Sequence, residues 1–165
     1  MSGCIIYITG LSGSGKTTIA KRLHQLIPHS ILLDGDEIRN TINKDLGFNN
    51  NDKKENIRRN NELIKLLYNQ GFTVICSFLA SIPEERDKLF DNNMRIIKVQ
   101  LTTPLEVCMK RDSKNLYKSH PSNLAGYDVS YTLLSNPDIV IDTSNKTLDE
   151  CVRIIKEKYD SYNID

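Results

Sequence analysis

Short apolar runs alternate with longer amphipathic segments along the chain. The first run, Cys4–Thr9, is almost entirely apolar and predicts a buried strand, because a strand covered on both faces shows no polar alternation. Ile19, Leu23 and Leu26 follow at helical spacing and predict a helix over 17–26. Four further apolar runs predict strands at residues 30–34, 72–77, 95–101 and 138–142.

The segments between these runs predict helices. They are expected over 52–69 and 83–90, after Pro104 as the first helical residue, and over 148–159. Parallel strands need crossover connections of this kind, so the alternation predicts an α/β fold with a five-stranded parallel sheet flanked by helices. The 165 residues contain no internal repeat or linker, and a single domain is expected over 1–165.

A glycine-rich turn joins the first predicted strand to the first predicted helix. It matches every position of the P-loop pattern, in which backbone N–H groups close on phosphate oxygens. Lys16 is expected to reach the β- and γ-phosphates, and the Thr17 hydroxyl is expected to ligate Mg²⁺. The sequence therefore predicts a nucleoside triphosphate site formed by Gly10, Leu11, Ser12, Gly13, Ser14, Gly15, Lys16, Thr17 and Thr18.

Residues 112–137 interrupt the alternation. They are polar and rich in turn formers such as Pro121, Gly126 and Pro137. A segment of this length without its own element is usually functional or disordered. Closing it over bound phosphates would exclude water, and we therefore interpret residues 112–137 as a lid.

Charge and composition exclude several classes of partner. A net charge of +1 offers no basic surface for nucleic acid or membrane. No apolar stretch approaches the ~20 residues of a membrane span, and the N-terminus leads directly into the first strand, which leaves no room for a signal peptide. A cytoplasmic protein is expected.

Cysteine and histidine do not predict a metal site. The four cysteines are scattered, mostly within apolar patterns, and buried reduced thiols are expected. His24, His29 and His120 have no metal-ligand spacing.

Among P-loop proteins, the length and the lid favour a small-molecule kinase. A GTPase needs an Asn-Lys-x-Asp motif late in the sheet, and the near match at Asn43-Lys44-Asp45 lacks the spacer and comes early. A motor ATPase would carry an acidic residue at the end of a strand beside the P-loop. The third predicted strand ends in Ser77, so that class is disfavoured unless Asp34 or Asp36 substitutes.

A polar cluster follows the second strand, at the edge of the sheet where ligands of such folds bind. Asp36, Arg39 and Asn43 have i, i+3, i+7 spacing and would share one helix face. The carboxylate could orient or deprotonate an acceptor hydroxyl, and the guanidinium could hold an anionic substrate.

The long helix predicts one wall of a pocket. Ile57 and Ile64 mark its inward face, and Lys53, Asn56 and Asn60 continue that face toward the N-terminus as polar residues. A core-facing stripe that turns polar at one end indicates a surface that meets a ligand. The alternative, a solvated helix start, explains Asn56 poorly.

An ordered set of motifs links these features to a family. Besides the P-loop with Thr18, the set comprises Leu33-Asp34-Gly35-Asp36-x-Ile38-Arg39, Asn43-Lys44-Asp45-Leu46-Gly47-Phe48, Glu55-Asn56-Ile57-Arg58-Arg59, Ser77-Phe78, Pro104-Leu105-Glu106-Val107-Cys108 and Arg111-Asp112-x-Lys114-x-Leu116-Tyr117-Lys118. Together these motifs closely resemble those of adenylylsulfate kinases, over residues 4–118 and more weakly beyond. Such enzymes transfer the γ-phosphate of ATP to the ribose 3′-hydroxyl of a nucleoside 5′-phosphosulfate. The family likeness also suggests a homodimer.

The resemblance implies a role for each matching residue. Asp36 would orient or deprotonate the 3′-hydroxyl and, with Lys16, would be catalytic. Arg39 and Asn56 would hold the phosphate end of the acceptor, and Phe48 would stack on its base. The remaining implied contacts are with ATP, by Arg111, and with the acceptor, by Lys53, Ser77 and Lys118.

The chain departs from the family at three places. Lys53 replaces an arginine and gives up a bidentate fork for a point charge. Ala80 replaces a serine proposed in the family as a phosphorylated intermediate. The lid is several residues shorter and has no aromatic residue before Gly126 to match the second phenylalanine that sandwiches adenine. Loss of a stacking face, worth roughly 1–3 kcal/mol, makes a smaller base such as cytosine plausible.

Three hypotheses result for a chain whose expected partners are ATP with Mg²⁺ and a small nucleotide acceptor. The first is a 3′-hydroxyl kinase for a modified nucleotide, specifically cytidine diphosphoramidate, whose kinase resembles adenylylsulfate kinases. The second is an authentic adenylylsulfate kinase with a trimmed lid. The third, a catalytically silent nucleotide-binding regulator, is disfavoured by the intact Lys16, Thr17, Asp36 and Arg39.

Overall fold

The computed structural model describes residues 3–90, 93–119 and 122–162, and His120 therefore lies outside the described residues. Five parallel strands form one sheet in the order β2-β3-β1-β4-β5. The predicted α/β fold is confirmed. The strands are β1 Cys4–Thr9, β2 Ser30–Asp34, β3 Thr73–Phe78, β4 Ile96–Leu101 and β5 Ile139–Ile141.

Helices cover both faces of the sheet and explain its apolar strands. In β1, Ile6 and Ile8 pack into a core with the helices Lys16–Leu26 and Leu148–Ser161, whereas Ile5 and Tyr7 pack into a second core with the helix Asn50–Asn69. The central strand β1 therefore contributes side chains to both cores, as expected of a buried parallel sheet. The helices are α1 Lys16–Leu26, α2 Gly35–Asn40, α3 Asn50–Asn69, α4 Pro83–Arg86, α5 Leu105–Arg111 and α6 Leu148–Ser161.

Three predicted helices differ in detail from the structure. The helix expected over 83–90 is one α-turn, α4, followed by the 3₁₀ turn Asp87–Leu89. Pro104 is the N-cap of α5, not its first residue. The helix after β2 ends at Asn40, because the backbone of Thr41 leaves the helical region. Asn43 therefore does not continue the helix face of Asp36 and Arg39.

The cysteine side chains lie in the protein interior. All four cysteines are free and buried, as predicted, and burial raises the pKa of the Cys4 thiol to about 11. Within the described ranges no helix has the length and apolar character that a membrane crossing requires.

Candidate active site

The P-loop forms a tight cradle against α5. Gly13 has φ 82°, and a Cβ atom there would lie 2.7 Å from the carbonyl oxygen of Cys108, so only glycine fits. Lys16 Nζ donates to the carbonyl oxygens of Gly10 and Leu11, both at 2.8 Å. Burial, together with the positive charge of Lys114, lowers the pKa of Lys16 to about 8. The ammonium is thus held by weak backbone acceptors that a phosphate could replace.

Thr17 lies beside the carboxylate of Asp34, which the sequence indicated only as a possible replacement for the acidic residue of a motor ATPase. Its Oγ1 donates to Asp34 Oδ2 at 2.6 Å and lies 3.3 Å from Ser77 Oγ. Asp34 Oδ1 accepts the backbone N–H groups of Asp36 and Glu37, at 3.1 and 3.4 Å, and so caps α2. One buried residue therefore connects the P-loop to the start of the helix that carries Asp36. The position of Asp34 at the end of strand β2 was the sequence feature that could have predicted this contact.

A cavity of about 460 Å³ opens beside these groups. Its volume suits a small ligand. Its lining includes P-loop residues, the end of β3, α3 and part of the lid. The structure brings to this cavity the predicted acceptor residues Asp36, Arg39, Phe48, Lys53, Asn56 and Ser77.

Arg39 and Phe48 form one end of this acceptor cavity. The Arg39 guanidinium lies 4.6 Å from the centre of the Phe48 ring, and its Nη1 donates to the carbonyl oxygen of Gly47 at 2.6 Å. Asp45 binds Arg59 of α3 in a bidentate pair at 2.8 and 2.9 Å, which ties this loop to the long helix. Phe48 itself is 69% exposed, so its ring face is available to a base.

A second cavity, of about 360 Å³, lies on the other side of the P-loop. Arg111 and Thr18 line it, as their predicted contact with ATP requires. Arg111 Nη1 donates to Gly13 O at 3.2 Å and to Thr143 Oγ1 at 2.9 Å. Thr143 in turn donates to Ser14 O at 2.7 Å, so the loop after β5 braces the P-loop.

Lys114, a lid residue, lies where the two cavities join. It lines both of them, as do Lys16 and Thr17. Its ammonium forms an ion pair with Asp36, 78 positions earlier in the chain. Because an ammonium at this junction neutralises anionic oxygens from either side, the arrangement suits transfer of a phosphoryl group between two bound molecules.

The lid is anchored at both ends in this structure. Tyr117 is buried and donates to Ser12 O at 2.8 Å. The Tyr131 hydroxyl lies 3.0 Å from Thr9 Oγ1, and the buried Arg86 donates to Thr132 O at 2.8 Å. These contacts hold residues on either side of the lid centre against the sheet.

The centre of the lid meets the P-loop and α3. Gly126 has φ 82°, and a Cβ atom there would overlap Leu11. Lys53 Nζ donates to Asn123 O at 3.5 Å. Tyr127 packs against Tyr117, with ring centres 6.0 Å apart, and is not part of the acceptor cavity.

Lys118 is not brought to either cavity, although substrate contact was predicted for it. Its backbone N–H and that of Tyr117 donate to the two oxygens of Asp112, at 3.0 and 3.1 Å. This turn directs Tyr117 inward and leaves Lys118 exposed.

We expect amide exchange across 122–130 to slow when MgADP and an acceptor nucleotide are both present. The reason is that this stretch lies between the two anchors and closes one wall of the acceptor cavity. Hydrogen exchange followed by mass spectrometry measures it, with the anchored region around Tyr117 as the internal control. Equal protection with and without ligands would show that the lid is a permanently packed loop.

The P-loop, the carboxylate at the junction and the two adjoining cavities define a P-loop kinase of a small acceptor. The sequence profile described as adenylylsulphate kinase matches residues 2–142. The chain belongs to this family. It is therefore an ATP-dependent phosphotransferase with an alcohol group as acceptor.

Individual relatives agree with this assignment. The chain is 42% identical over 160 residues to the adenylyl-sulfate kinase of Marinobacter nauticus. The aligned region covers 90% of this chain and 80% of that protein. The chain is 39% identical over 163 residues to the adenylyl-sulfate kinase of Clostridium kluyveri, covering 93% and 82%. The fold matches the APS kinase CysC of Mycobacterium tuberculosis in complex with AMPPNP and APS, with a TM-score of 0.87, 30% identity and coverage of 94% and 96%.

Proposed function

We propose that this chain transfers the γ-phosphate of ATP to the ribose 3′-hydroxyl of a nucleoside 5′-phosphate derivative, with adenylylsulfate as the acceptor. The observation that carries the proposal is the meeting of the two cavities at Lys16, Thr17 and Lys114, with the Asp36 carboxylate beside them. The names of the relatives favour adenylylsulfate over the cytidine acceptor expected first from the sequence. Action in the cytoplasm as one catalytic domain, and as a homodimer, remains a prediction.

The residues divide the reaction between donor and acceptor. Lys16 exchanges its backbone acceptors for the β- and γ-phosphates, and Asp36 orients or deprotonates the attacking 3′-hydroxyl. Lys114 neutralises charge on the phosphoryl group as it passes the junction. Transfer is direct, because Ala80 lines the acceptor cavity where the family has a serine.

The donor side also fits Mg²⁺. Thr17 supplies a hydroxyl and Asp34 a carboxylate, and Mg²⁺ prefers oxygen ligands of this kind together with substrate phosphates. When bound, the ion would neutralise charge on the phosphate oxygens. The hydrogen bond from Thr17 to Asp34 keeps both oxygens at the P-loop.

Cytidine diphosphoramidate is a second candidate acceptor, favoured by one observation. Of its described residues, the lid contributes Lys114, Leu116, Ser122, Asn123, Leu124 and Ala125 to the lining of the acceptor cavity, and none of these is aromatic. Phe48 is then the exposed aromatic ring of this cavity, because Tyr127 packs elsewhere and the other aromatic lining residues, Tyr7 and Phe78, are buried. A base with less surface than adenine loses less from the missing second face.

We expect kcat/KM for adenylylsulfate to exceed that for cytidine diphosphoramidate by about fivefold or more, because adenine offers Phe48 the larger stacking surface and one stacking face is worth roughly 1–3 kcal/mol. The measurement is the initial rate at saturating MgATP with adenylylsulfate or cytidine diphosphoramidate, with ³¹P NMR to locate the new phosphate. A preference for adenylylsulfate supports the proposal. A preference for the cytidine nucleotide would contradict it and identify cytidine diphosphoramidate as the acceptor.

A lid variant tests the effect of the missing second aromatic face. Leu124→Phe restores an aromatic side chain on the cavity wall and is expected to raise kcat/KM for adenylylsulfate relative to the cytidine nucleotide. Product carrying phosphate on neither 3′-hydroxyl would contradict the proposed function.

A further inference from the structure

A buried amide lies behind the wall of the acceptor cavity. Asn43 is fully buried and does not line the cavity, whereas Asn56 and Asn60, one turn apart on α3, do. Asn43 Nδ2 donates to Asn56 Oδ1 at 2.9 Å and to Asn60 Oδ1 at 3.1 Å. One side chain therefore fixes two residues of the cavity wall.

These two hydrogen bonds set which end of each wall amide is free. A terminal amide carries its oxygen and its NH₂ group on opposite sides, so engaging both oxygens leaves both NH₂ groups available. Among the described residues, neither Asn56 Nδ2 nor Asn60 Nδ2 has a hydrogen-bond partner. The wall therefore offers donors to a ligand.

Stability alone does not account for Asn43. Its Oδ1 is buried and has no hydrogen-bond partner among the described residues. A buried acceptor without a donor is destabilising, and such a group in a folded protein calls for another explanation. Orientation of the two wall amides supplies one.

We propose that Asn43 is a positioning residue that turns the NH₂ groups of Asn56 and Asn60 toward the acceptor cavity, so that this wall selects an acceptor group rich in oxygen and free of N–H donors. Phosphoryl or sulfate oxygens have this character, and an amide-capped phosphate has it less. This inference rests on the proposed function for its choice of ligand. It adds a basis for selectivity that does not depend on the base.

The test is a pair of substitutions at Asn43 that remove or reverse the orientation. Asn43→Leu keeps the shape and removes the donor. We expect KM for adenylylsulfate to rise about tenfold or more, the scale of a hydrogen bond to a charged group, with kcat and KM for MgATP within about threefold. Asn40→Leu, an exposed position on the preceding helix, is the matched control.

Asn43→Asp keeps the proposal testable if the leucine variant does not fold. An ionised carboxylate can only accept, so it attracts both NH₂ groups and turns the oxygens of Asn56 and Asn60 toward the cavity. The ratio of kcat/KM for cytidine diphosphoramidate to that for adenylylsulfate is then expected to rise above its wild-type value. Asn40→Asp controls for the added charge.

A readout independent of turnover separates this inference from the proposed function. The side-chain NH₂ signals of Asn56 and Asn60 in ¹⁵N NMR spectra of the wild-type chain are expected to shift when adenylylsulfate is added with MgADP. Phosphorylation at another position with these shifts present would reject the proposed function alone. Unchanged NH₂ signals, or KM within about twofold of wild type in both folded Asn43 variants, would overturn the positioning role.

Discussion

Replacing Asp36 with asparagine is expected to lower kcat about 100-fold or more, the usual scale for losing a positioned general base. The carboxylate lines the acceptor cavity and pairs with Lys114, which lines both cavities. Asparagine keeps the shape and removes both the basic oxygen and the charge. The measurement is kcat at saturating MgATP and acceptor.

Glu37→Gln provides the matched control for Asp36→Asn. Glu37 is the adjacent exposed carboxylate on α2 and does not line either cavity. Its kcat is expected to stay within about twofold of wild type, as surface substitutions usually do little. Near-normal turnover by Asp36→Asn with either acceptor would remove Asp36 from the catalytic step.

Substituting alanine for Lys16 is expected to cost at least about 100-fold in kcat, because the ammonium neutralises charge on the transferred phosphate. Lys21→Ala, exposed on the same helix, is the control and should retain activity. Full activity of the Lys16 variant would contradict the assignment of the donor site.

Lys16 also implies a pH dependence of nucleotide binding. Its pKa in the free chain is lowered to about 8, so above that pH a growing fraction of free protein carries neutral Lys16. Phosphate pairs with the charged form, and affinity for MgATP should therefore fall as the pH rises through about 8. Calorimetry in buffers of different ionisation enthalpy should show proton uptake on binding at pH 8–9, and Lys16→Ala should lose it.

The sheet was predictable from the sequence because its central strands, β1 and β3, are buried along their whole length. In β1, Ile5 and Ile6 face different cores, so this strand appears in the sequence as one unbroken apolar run. The P-loop was equally clear, since its chemistry is local to eight consecutive positions. Among the polar residues of the acceptor cavity, Asp36 and Ser77 lie close to strand ends, and Lys53 and Asn56 were indicated by the polar start of α3.

Contacts between distant segments could not be derived from spacing. No glycine or proline between Asp36 and Asn43 marks the end of the helix after β2, and periodicity alone extended it too far. The pairing of Asp36 with Lys114 depends on how the lid returns to the sheet. Lys118 lies outside both cavities because Asp112 shapes a local turn through hydrogen bonds to the backbone N–H groups of Tyr117 and Lys118, and its contact with the acceptor stays a prediction.

The position of Lys114 makes the two substrates thermodynamically dependent on each other. Its ammonium lines both cavities and neutralises Asp36 when no nucleotide competes for it. A donor nucleotide that draws the ammonium away changes the charge that the acceptor meets, and linkage requires the acceptor to change donor affinity by the same factor. Binding of ADP and of the phosphorylated product is then coupled through the same ammonium, so each product is expected to change the affinity for the other by the same factor.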